Sequence, residues 1–375
     1  MTTILVTATE ESTGKTAITL ALAAIARDRG LSVGYMKPKG TRLESVVGKT
    51  LDTDPMLARE VLDLEAGIAD LEPIVYSPTF IEGAMSGRED PDRLAETVRD
   101  RFDELSADRD LMVIEGGGSL STGGVIDLTD PEVAALLDAR VLLVADHNRP
   151  GDVDDVLAAV DVIGDRIAGV LFNRIDEGIH DAVESDVAPF LEGCGVPVPG
   201  VLPRVTELAG TTVGEFAEEL GADVLTDAPT DAYLERLLVG AMGAQASLRY
   251  FRRTRNAVVI TGGDRSDIHT TALEASGVQC LCLTGGTRPS EAVIGLAEER
   301  GVPILLVDSD TRSTIERADD IIRSGRTRDE RTVERMRELL ETHANVDAML
   351  DTPDGIGEVD ASDVDDSGAD DSPST

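Results

Sequence analysis

The sequence predicts an α/β protein with a doubly wound, mainly parallel sheet, followed by a smaller α/β unit. Two observations carry this prediction. Short apolar runs alternate with longer amphipathic stretches, which is the pattern of parallel strands joined by helices. The alternation stops after about residue 207 and starts again near residue 257. A length of 375 residues accommodates two domains at about 150 residues each, and 41% hydrophobic residues can fill a core in both.

The first part of the chain contains five predicted strands with helices between them. The strands are expected at residues 3–7, 32–36, 111–114, 141–145 and 167–172. The helical patterns are at residues 16–27, 91–105, 153–163 and 181–191. Three prolines between residues 197 and 203 exclude a helix and indicate a short final strand or a rim loop. The predicted first domain covers residues 1–207.

The second part begins with a mainly helical pattern, which predicts a connector over residues 208–250. Strands are then expected at 257–261, 278–284 and 304–307, with helices at 268–275, 289–300 and 311–322. A further amphipathic helix at 330–342 is expected to close this unit, which spans 251–345. Residues 346–375 are expected to form a disordered acidic tail, because no basic residue follows Leu350.

The charge of the chain is strongly negative, at −38 from 34 basic and 72 acidic residues. This excess argues against a nucleic acid or an anionic membrane as partner, since both attract basic surfaces. Only four of the basic residues are lysines, and such an acidic, lysine-poor surface resembles that of a cytosolic protein from a halophile. Three cysteines fit a reducing compartment, and no apolar run reaches membrane-spanning length, so we expect a cytoplasmic protein. Cys280 and Cys282 are expected to be buried core thiols, with a redox or metal pair as the alternative.

The first predicted strand runs into a sequence typical of phosphate-binding loops. Residues 8–16 read Ala-Thr-Glu-Glu-Ser-Thr-Gly-Lys-Thr, and an apolar helix follows. A nucleoside triphosphate needs backbone N–H groups at a helix N-terminus, a lysine for charge and a hydroxyl for Mg²⁺. The residues expected to contact the nucleotide are Thr9, Ser12, Thr13, Gly14, Lys15 and Thr16. The first glycine of the usual motif is absent.

Carboxylates for a metal are expected at the ends of neighbouring strands. Glu115 ends a strand and is followed by Gly116, Gly117 and Gly118, of which Gly116 and Gly117 are expected to let the backbone approach the nucleotide phosphates. A plain tight turn also explains the glycines, but not an acid at a strand end. Asp54 precedes a predicted helix and is either a metal ligand or only an N-cap; the sequence alone favours the N-cap. Lys37 and Lys39 flank a proline at another strand end, where compact cations suit phosphate or carboxylate recognition.

These motifs together resemble dethiobiotin synthetase, an ATP-dependent enzyme of the P-loop NTPase class. The resemblance covers about 205 residues and rests on Thr9, Gly14-Lys15-Thr16, Lys37-Pro38, Asp54 and Glu115-Gly116-Gly117-Gly118. It implies Mg²⁺ at Thr16, Asp54 and Glu115, catalytic phosphate contacts from Lys15 and Lys37, adenine recognition by Asn173, and closure of the 197–203 loop over the base. Ala8 and Glu11 depart from the family pattern, and an acid at position 11 would repel an anionic substrate.

The second unit resembles the DRTGG domain. The matching residues are Asp264, Arg265, Thr284, Gly285 and Gly286, which follow two predicted strands. From the residues alone they form either a small-molecule or nucleotide pocket or a structural joint. The four histidines show no metal-binding spacing, and His269 is expected to be a solvated helix residue.

The order of the two domains resembles the N-terminal regulatory region of long phosphotransacetylases, without the acetyltransferase domain. It implies a regulatory protein that binds ATP and Mg²⁺, with or without slow ATPase activity. Such a protein would sense a nucleotide or an unknown metabolite, control a partner enzyme of acetyl-CoA or related metabolism, and be a homodimer. The alternatives are an ATP-dependent carboxylate-activating ligase and a non-catalytic dimeric scaffold.

Overall fold

The first domain is built on a six-stranded parallel sheet. The computed structural model describes residues 1–10, 13–41, 43–46, 49–205, 208, 210–323 and 329–350. The strands are β1 Thr2–Ala8, β2 Val33–Met36, β3 Leu111–Glu115, β4 Arg140–Ala145, β5 Ile167–Ile175 and β6 Gly200–Pro203. Their order is β6-β5-β4-β1-β3-β2, and every pair is parallel. The doubly wound sheet is confirmed, and its winding reverses beside β1, where such sheets bind ligands.

Helices cover both faces of this sheet and bury a core on each side. The longest are Lys15–Asp28, Thr53–Val61, Pro91–Ser106 and Asp152–Ile163. Shorter helices are Ile68–Leu71, Pro78–Met85, Asp130–Leu136, Glu177–Ala182 and Ala188–Gly193, with a π-helical turn at Val183–Val187. Two small ribbons pair Lys39–Gly40 with Ile74–Val75, and Leu43–Val46 with Lys49–Asp52. Across the described ranges, no helix has the length and apolar character needed to cross a bilayer.

The second unit is a smaller α/β sheet of five strands. They are β7 Asp223–Val224, β8 Arg236–Val239, β9 Ala257–Gly262, β10 Val278–Thr284 and β11 Ile304–Leu306. The order is β7-β11-β10-β9-β8, with only β7 antiparallel to its neighbour. The helices are Val213–Leu220, Ala244–Phe251, Ser266–Leu273, Glu291–Arg300 and Thr311–Arg323.

The stretch 208–250 is not the mainly helical connector that the sequence predicts. It contributes β7 and β8 to the second sheet, and a two-stranded ribbon pairs Thr211–Thr212 with Tyr233–Leu234. The strand β8 reads Arg-Leu-Leu-Val and takes its structure from pairing with β9. A run of four residues is too short to distinguish a strand from a helix by periodicity.

The helix Glu330–His343, which we call the return helix, packs on the first domain rather than closing the second unit. Val333, Met336 and Leu340 are buried in the same core as the helix Lys15–Asp28. The sequence shows only that this helix is amphipathic, and an apolar stripe does not specify which surface will cover it.

The short helix Val346–Leu350 extends the return helix into the segment expected to be a disordered tail. Val346 and Met349 are buried in the core around the helix Lys15–Asp28. The predicted tail boundary at residue 346 is therefore corrected, because these apolar side chains have a surface to pack on. Residues 351–375 of the predicted tail lie outside the described residues.

The cysteines of β10 give a test of the second sheet. Cys280 and Cys282 are buried as expected, whereas Cys194 is exposed, and all three are free thiols. Burial raises the pKa of Cys282 to about 12 and that of Cys280 well above its ordinary value. Because the thiolate is the reactive form, we expect Ellman's reagent at pH 8 to titrate one thiol per native chain and all three after unfolding. Reaction of Cys280 or Cys282 in the native protein would contradict the buried strand.

Candidate functional site

The loop between β1 and the helix Lys15–Asp28 has the backbone of a phosphate site. Gly14 is the N-cap of this helix and has φ of +92°. A Cβ atom at Gly14 would also lie 2.6 Å from Asn173 Nδ2. Only glycine adopts this conformation without strain and leaves this space free. The first N–H groups of the helix point out of its N-terminus, where an anion is stabilised.

Two side chains of this helix reach the end of β3. Lys15 Nζ donates to the carbonyl oxygen of Gly118 at 2.6 Å. This contact places the ammonium group over the glycine-rich loop, residues Gly116–Gly118. Thr16 Oγ1 donates to Glu115 Oε1 at 2.6 Å. The hydroxyl of Thr13 is buried and has no hydrogen-bond partner within the part of the chain that the structure describes. The sequence prediction that Lys15, Thr16 and Glu115 meet is therefore realised in the geometry.

Lys37 lies in a buried cluster of carboxylates at the ends of β2 and β3. Its Nζ is 2.8 Å from Asp52 Oδ2 and 3.7 Å from Glu115 Oε1, and it also pairs with Asp54. The Tyr35 hydroxyl donates to the second oxygen of Glu115 at 2.8 Å. The side chains of Lys37 and its three carboxylate partners are at most 2% exposed. The fold thus brings Asp54 and Glu115 to a single cation.

The role of Asp54 differs from the N-cap that the sequence favours. The N-cap of the helix Thr53–Val61 is Asp52, whose Oδ1 accepts a hydrogen bond from the backbone N–H of Asp54 at 2.9 Å. An aspartate cap satisfies an N–H group that the helix leaves free. Asp54 itself sits in the first turn and is directed to Lys37, so the N-cap interpretation is wrong.

Charge in this cluster is unbalanced, with three carboxylates around one lysine. Burial raises the pKa of Glu115 to about 7, although Lys37 opposes the change. Burial alone would lower the pKa of Lys37, but Asp54, Glu115 and Asp52 together hold it above the usual lysine value. Carboxylate and hydroxyl oxygens are the ligands that Mg²⁺ takes in proteins. The oxygen atoms of Thr16, Asp54 and Glu115 therefore suit this cation chemically.

Lys39 is a structural residue, not the phosphate contact that its position suggests. Its Nζ is buried and donates to the carbonyl oxygens of Thr122, at 2.9 Å, and of Leu128. It also pairs with Asp130 at 3.0 Å. Asp130 in turn accepts hydrogen bonds from the Thr7 hydroxyl and from an N–H of the glycine-rich loop. This network fixes the glycine-rich loop, in which the carbonyl oxygen of Gly118 accepts the hydrogen bond from Lys15.

The glycine-rich loop packs tightly against Asp130. The N–H of Gly117 is 3.1 Å from Asp130 Oδ1, and the N–H of Gly116 donates to the carbonyl oxygen of Val6. A Cβ atom at Gly116 would lie 2.2 Å from Asp130 Oδ2. These glycines are needed for close packing, so their presence alone does not indicate phosphate contact.

Asn173 contacts the phosphate loop from the end of β5. Its Nδ2 donates to the carbonyl oxygen of Thr13 at 2.7 Å, and the side chain is buried beneath Gly14. On the other side of the loop, a cavity of about 660 Å³ is bordered by Thr9, Ser119, Asn148 and Arg149, among other residues. Ser12 and Glu11 lie outside the described residues.

The second-unit motif residues also meet each other, but on a different sheet from the phosphate loop. The N–H of Gly263, which precedes Asp264, donates to the carbonyl oxygen of Thr284 at 3.1 Å. The N–H groups of Gly285 and Gly286 donate to carbonyl oxygens of residues 309 and 307. The Thr284 and Thr311 hydroxyls are 2.7 Å apart. Because these backbone donors are engaged within the fold, the geometry favours a structural joint over a phosphate cradle.

The side chain of Arg265 makes local surface contacts, and Asp264 is exposed. Arg265 donates to Asp267 Oδ1 at 3.3 Å and to the carbonyl oxygen of Met242 at 3.2 Å. His269 is fully buried, and its Nε2 is 2.9 Å from the carbonyl oxygen of Gly262. Burial lowers the pKa of His269. The expectation of a solvated His269 is wrong, because its helix turns this side chain toward the sheet.

Sequence reasoning missed four residues that organise the first site. They are Tyr35, Asp52, Glu72 and Asp130. The sequence does contain a signal for Asp52, because an aspartate directly before a helix is a typical N-cap. The others follow from long-range contacts, which local patterns do not encode.

The chain matches two protein-family models in the predicted order. Residues 2–212 match the AAA_26 model, described as an AAA domain, and residues 215–321 match the DRTGG domain. The chain belongs to the AAA_26 family. The first of these matches covers the phosphate loop, both lysines of the site and its carboxylates, so the dethiobiotin-synthetase-like P-loop assignment is confirmed. The DRTGG match covers the motif residues of the second sheet.

Curated relatives include two kinds of enzyme. A phosphate acetyltransferase of Pseudomonas putida is 24% identical over 364 residues, which is 92% of this chain and 50% of the relative. A probable cobyric acid synthase of Methanothermobacter thermautotrophicus is 30% identical over 225 residues, covering 53% of this chain and 44% of the relative. The chain spans about half the length of the curated relatives it matches. The resemblance to the N-terminal region of phosphotransacetylases is confirmed.

Solved structures with partial similarity include two proteins. The CBS and DRTGG domains of the regulatory region of Clostridium perfringens pyrophosphatase are 24% identical, with a TM-score of 0.28, over 33% of this chain and 52% of that chain. The MinD cell division protein of Aquifex aeolicus is 16% identical, with a TM-score of 0.36, over 56% of this chain and 84% of that chain. At these TM-scores neither likeness bears on function.

Glu72 gives a pH test of the site. Glu72 is 3% exposed, and its Oε2 accepts a hydrogen bond from the backbone N–H of Asp52. Its Oε1 has no hydrogen-bond partner among the described residues. Burial, with the nearby charge of Asp52, raises its pKa from 4.5 to about 7. The folded state therefore holds this proton more tightly than the unfolded state, and Glu72 lowers the free energy of unfolding as pH rises from about 4.5 to about 7.

Glu72→Gln removes this titration. We expect the stability of the variant relative to the wild type to increase by about 1–3 kcal/mol between pH 5 and pH 8, measured by urea unfolding at constant KCl. Glu82→Gln, at an exposed position, is the control and should show no such trend. A constant difference for Glu72→Gln across this range would mean that the carboxyl titrates normally.

Proposed function

We propose that this protein binds Mg-ATP at the loop between β1 and the helix Lys15–Asp28 and acts as a nucleotide-responsive regulatory protein. The observation that carries the proposal is the convergence of the Thr16 hydroxyl with two buried carboxylates, Glu115 at the end of β3 and Asp54 in the first turn of the helix Thr53–Val61. A hydroxyl next to the phosphate-loop lysine and acids at strand ends are what an Mg-nucleotide site requires.

Each residue has a defined part in this proposal. The N–H groups at the start of the helix bind phosphate oxygens, and Lys15 exchanges its contact with Gly118 for a phosphate oxygen. Thr16, Asp54 and Glu115 hold Mg²⁺, which neutralises phosphate charge when bound. Lys37 pairs with both carboxylates and limits their mutual repulsion before the cation arrives.

The regulatory part of the proposal rests on the domain pair. The chain aligns over 92% of its length with about half of a phosphate acetyltransferase. We infer that nucleotide or metabolite binding controls a partner enzyme of acetyl-CoA or related metabolism. The backbone hydrogen bonds of the DRTGG motif within the fold support a mechanical role for the second unit.

Nucleotide binding is tested by calorimetry in molar KCl. We expect Mg-ATP to bind the wild type and Lys15→Ala to weaken binding by about 10–100-fold, since a charged hydrogen bond contributes about 1.5–3 kcal/mol. Arg312→Ala is the control, because Arg312 is exposed and pairs only locally with Glu316. Absence of binding by the folded wild type would remove the basis of the proposal.

The metal assignment has its own test. We expect ATP affinity to fall by about tenfold or more when EDTA removes Mg²⁺ from the wild type, because the cation offsets repulsion between phosphate and the carboxylates. In Asp54→Asn and Glu115→Gln the difference between Mg²⁺ and EDTA should largely disappear. Retention of the full Mg²⁺ dependence in both variants would place the cation on other groups.

A carboxylate-activating ligase is the second candidate, and the position of Lys37 favours it. Lys37 follows β2, the strand beside β3, and its Nζ contacts the two carboxylates among the proposed Mg²⁺ ligands, Asp54 and Glu115. A lysine there would stabilise the negative charge of a transferring phosphoryl group. The ligase predicts carboxylate-dependent ADP release in the wild type, and its loss in Lys37→Arg with ATP binding retained. No release with a panel of carboxylates and amines would favour the regulatory role.

A further inference from the structure

We propose that the return helix and the segment after it, residues 330–350, transmit between the second unit and the nucleotide site. This proposal rests on the proposed Mg-ATP site and names how that site is regulated. The segment follows the second unit in the chain but is built into the first domain. It touches the helix Lys15–Asp28, which begins at the nucleotide loop, and the strand β6 at the edge of the same sheet.

The first contact is with the helix that begins at Lys15. Val333, Met336, Leu340, Val346 and Met349 share one buried core with residues of that helix. Two ion pairs connect the surfaces, Arg337 with Asp28 at 2.5 Å and Arg29 with Asp347 at 2.6 Å. The helix Lys15–Asp28 is buried along nearly its whole length, so a shift of the return helix must move it or leave a void.

The second contact is with the strand β6 and the proline-rich loop before it. The N–H of Asn345 donates to the carbonyl oxygen of Pro199 at 2.7 Å. Gly200 and Ala344 form an antiparallel bridge, and a Cβ atom at Gly200 would lie 2.6 Å from the His343 carbonyl oxygen. The loop that resembles a base-closing loop is thus held by the end of the return helix.

The second unit reaches the same strand by a direct ion pair. Arg204, just after β6, donates to Glu235 Oε2 at 3.0 Å, and Asn256 donates to the other oxygen of Glu235 at 2.7 Å. Asn256 directly precedes β9, which leads to the DRTGG motif. Both routes from the second unit therefore end at β6.

The motif itself lies at the other end of this connection. The Thr284 hydroxyl contacts Thr311, the first residue of the helix Thr311–Arg323, and the return helix is the next helix in the chain. A rearrangement in the second unit would reach the return helix where both border one cavity of about 180 Å³, with Thr332 and Arg335 of the helix opposite Thr212, Glu215 and Tyr233. Sliding of packed helices is a common form of such transmission. Because coupling between two sites is reciprocal, nucleotide binding must then also stabilise the return segment.

Hydrogen exchange with Mg-ATP tests this in the full-length wild type. We expect amide exchange in residues 330–350 to slow by at least about threefold on Mg-ATP binding, as local opening becomes less favourable. The helix Pro91–Ser106 packs in the core on the other face of the sheet, and its exchange should not change. Calorimetry on the same sample shows whether nucleotide is bound. Bound nucleotide with unchanged exchange in 330–350 overturns the coupling, whereas no binding overturns the proposed site.

A matched pair of core variants gives the reverse measurement. Leu340 and Leu191 are both fully buried, but only Leu340 lies in the core shared with the helix Lys15–Asp28. We expect Leu340→Ala to weaken Mg-ATP binding by at least about fivefold and Leu191→Ala to leave it unchanged. Equal affinities in the two folded variants would overturn the coupling. If Leu340→Ala does not fold, the exchange experiment on the wild type decides.

Discussion

The candidate site depends on a single buried lysine. Lys37 joins the ends of β2 and β3 to the start of the helix Thr53–Val61 through three carboxylates that water hardly reaches. Buried charges of one sign repel strongly at low dielectric, and the ammonium group of Lys37 offsets the repulsion among these carboxylates. Lys37 therefore keeps Asp54 and Glu115 in place, and Glu115 accepts the hydrogen bond from the Thr16 hydroxyl there.

The grouping of part of the site is predictable from sequence, because the phosphate loop follows β1 and Glu115 ends β3. β1, β3 and β4 were found as apolar runs, and parallel strands bring their carboxyl ends to one edge. For this reason the sequence alone indicates that Lys15, Thr16 and Glu115 lie close together. Asp52 and Tyr35 were not found, because their partners are distant in sequence and their local patterns are those of an ordinary helix cap and an ordinary strand residue.

The second half shows where pattern reasoning fails. The return helix was recognised as an amphipathic helix, with its bounds correct to within a residue, yet it was assigned to the wrong core. Its apolar stripe fits any surface of similar shape, and the choice is made by contacts with Asp28 and with the edge of the sheet. The strand β8 is missed for the opposite reason, because an apolar pattern of four residues is too short to identify a strand. The scarcity of lysine correctly indicates Lys15 and Lys37 as site residues. Lys39, by contrast, stabilises a loop through carbonyl oxygens and Asp130.

The bridge between Gly200 and Ala344 has a consequence for self-association. β6 is an edge strand, and an uncovered edge presents unpaired backbone groups to which another chain can add. Here the chain that follows the return helix pairs with Gly200 and occupies that position. Strand addition on this side would require the return segment to leave, which would also open the core around the helix Lys15–Asp28. The segment that we propose to carry the internal signal thus also covers part of this edge of the sheet.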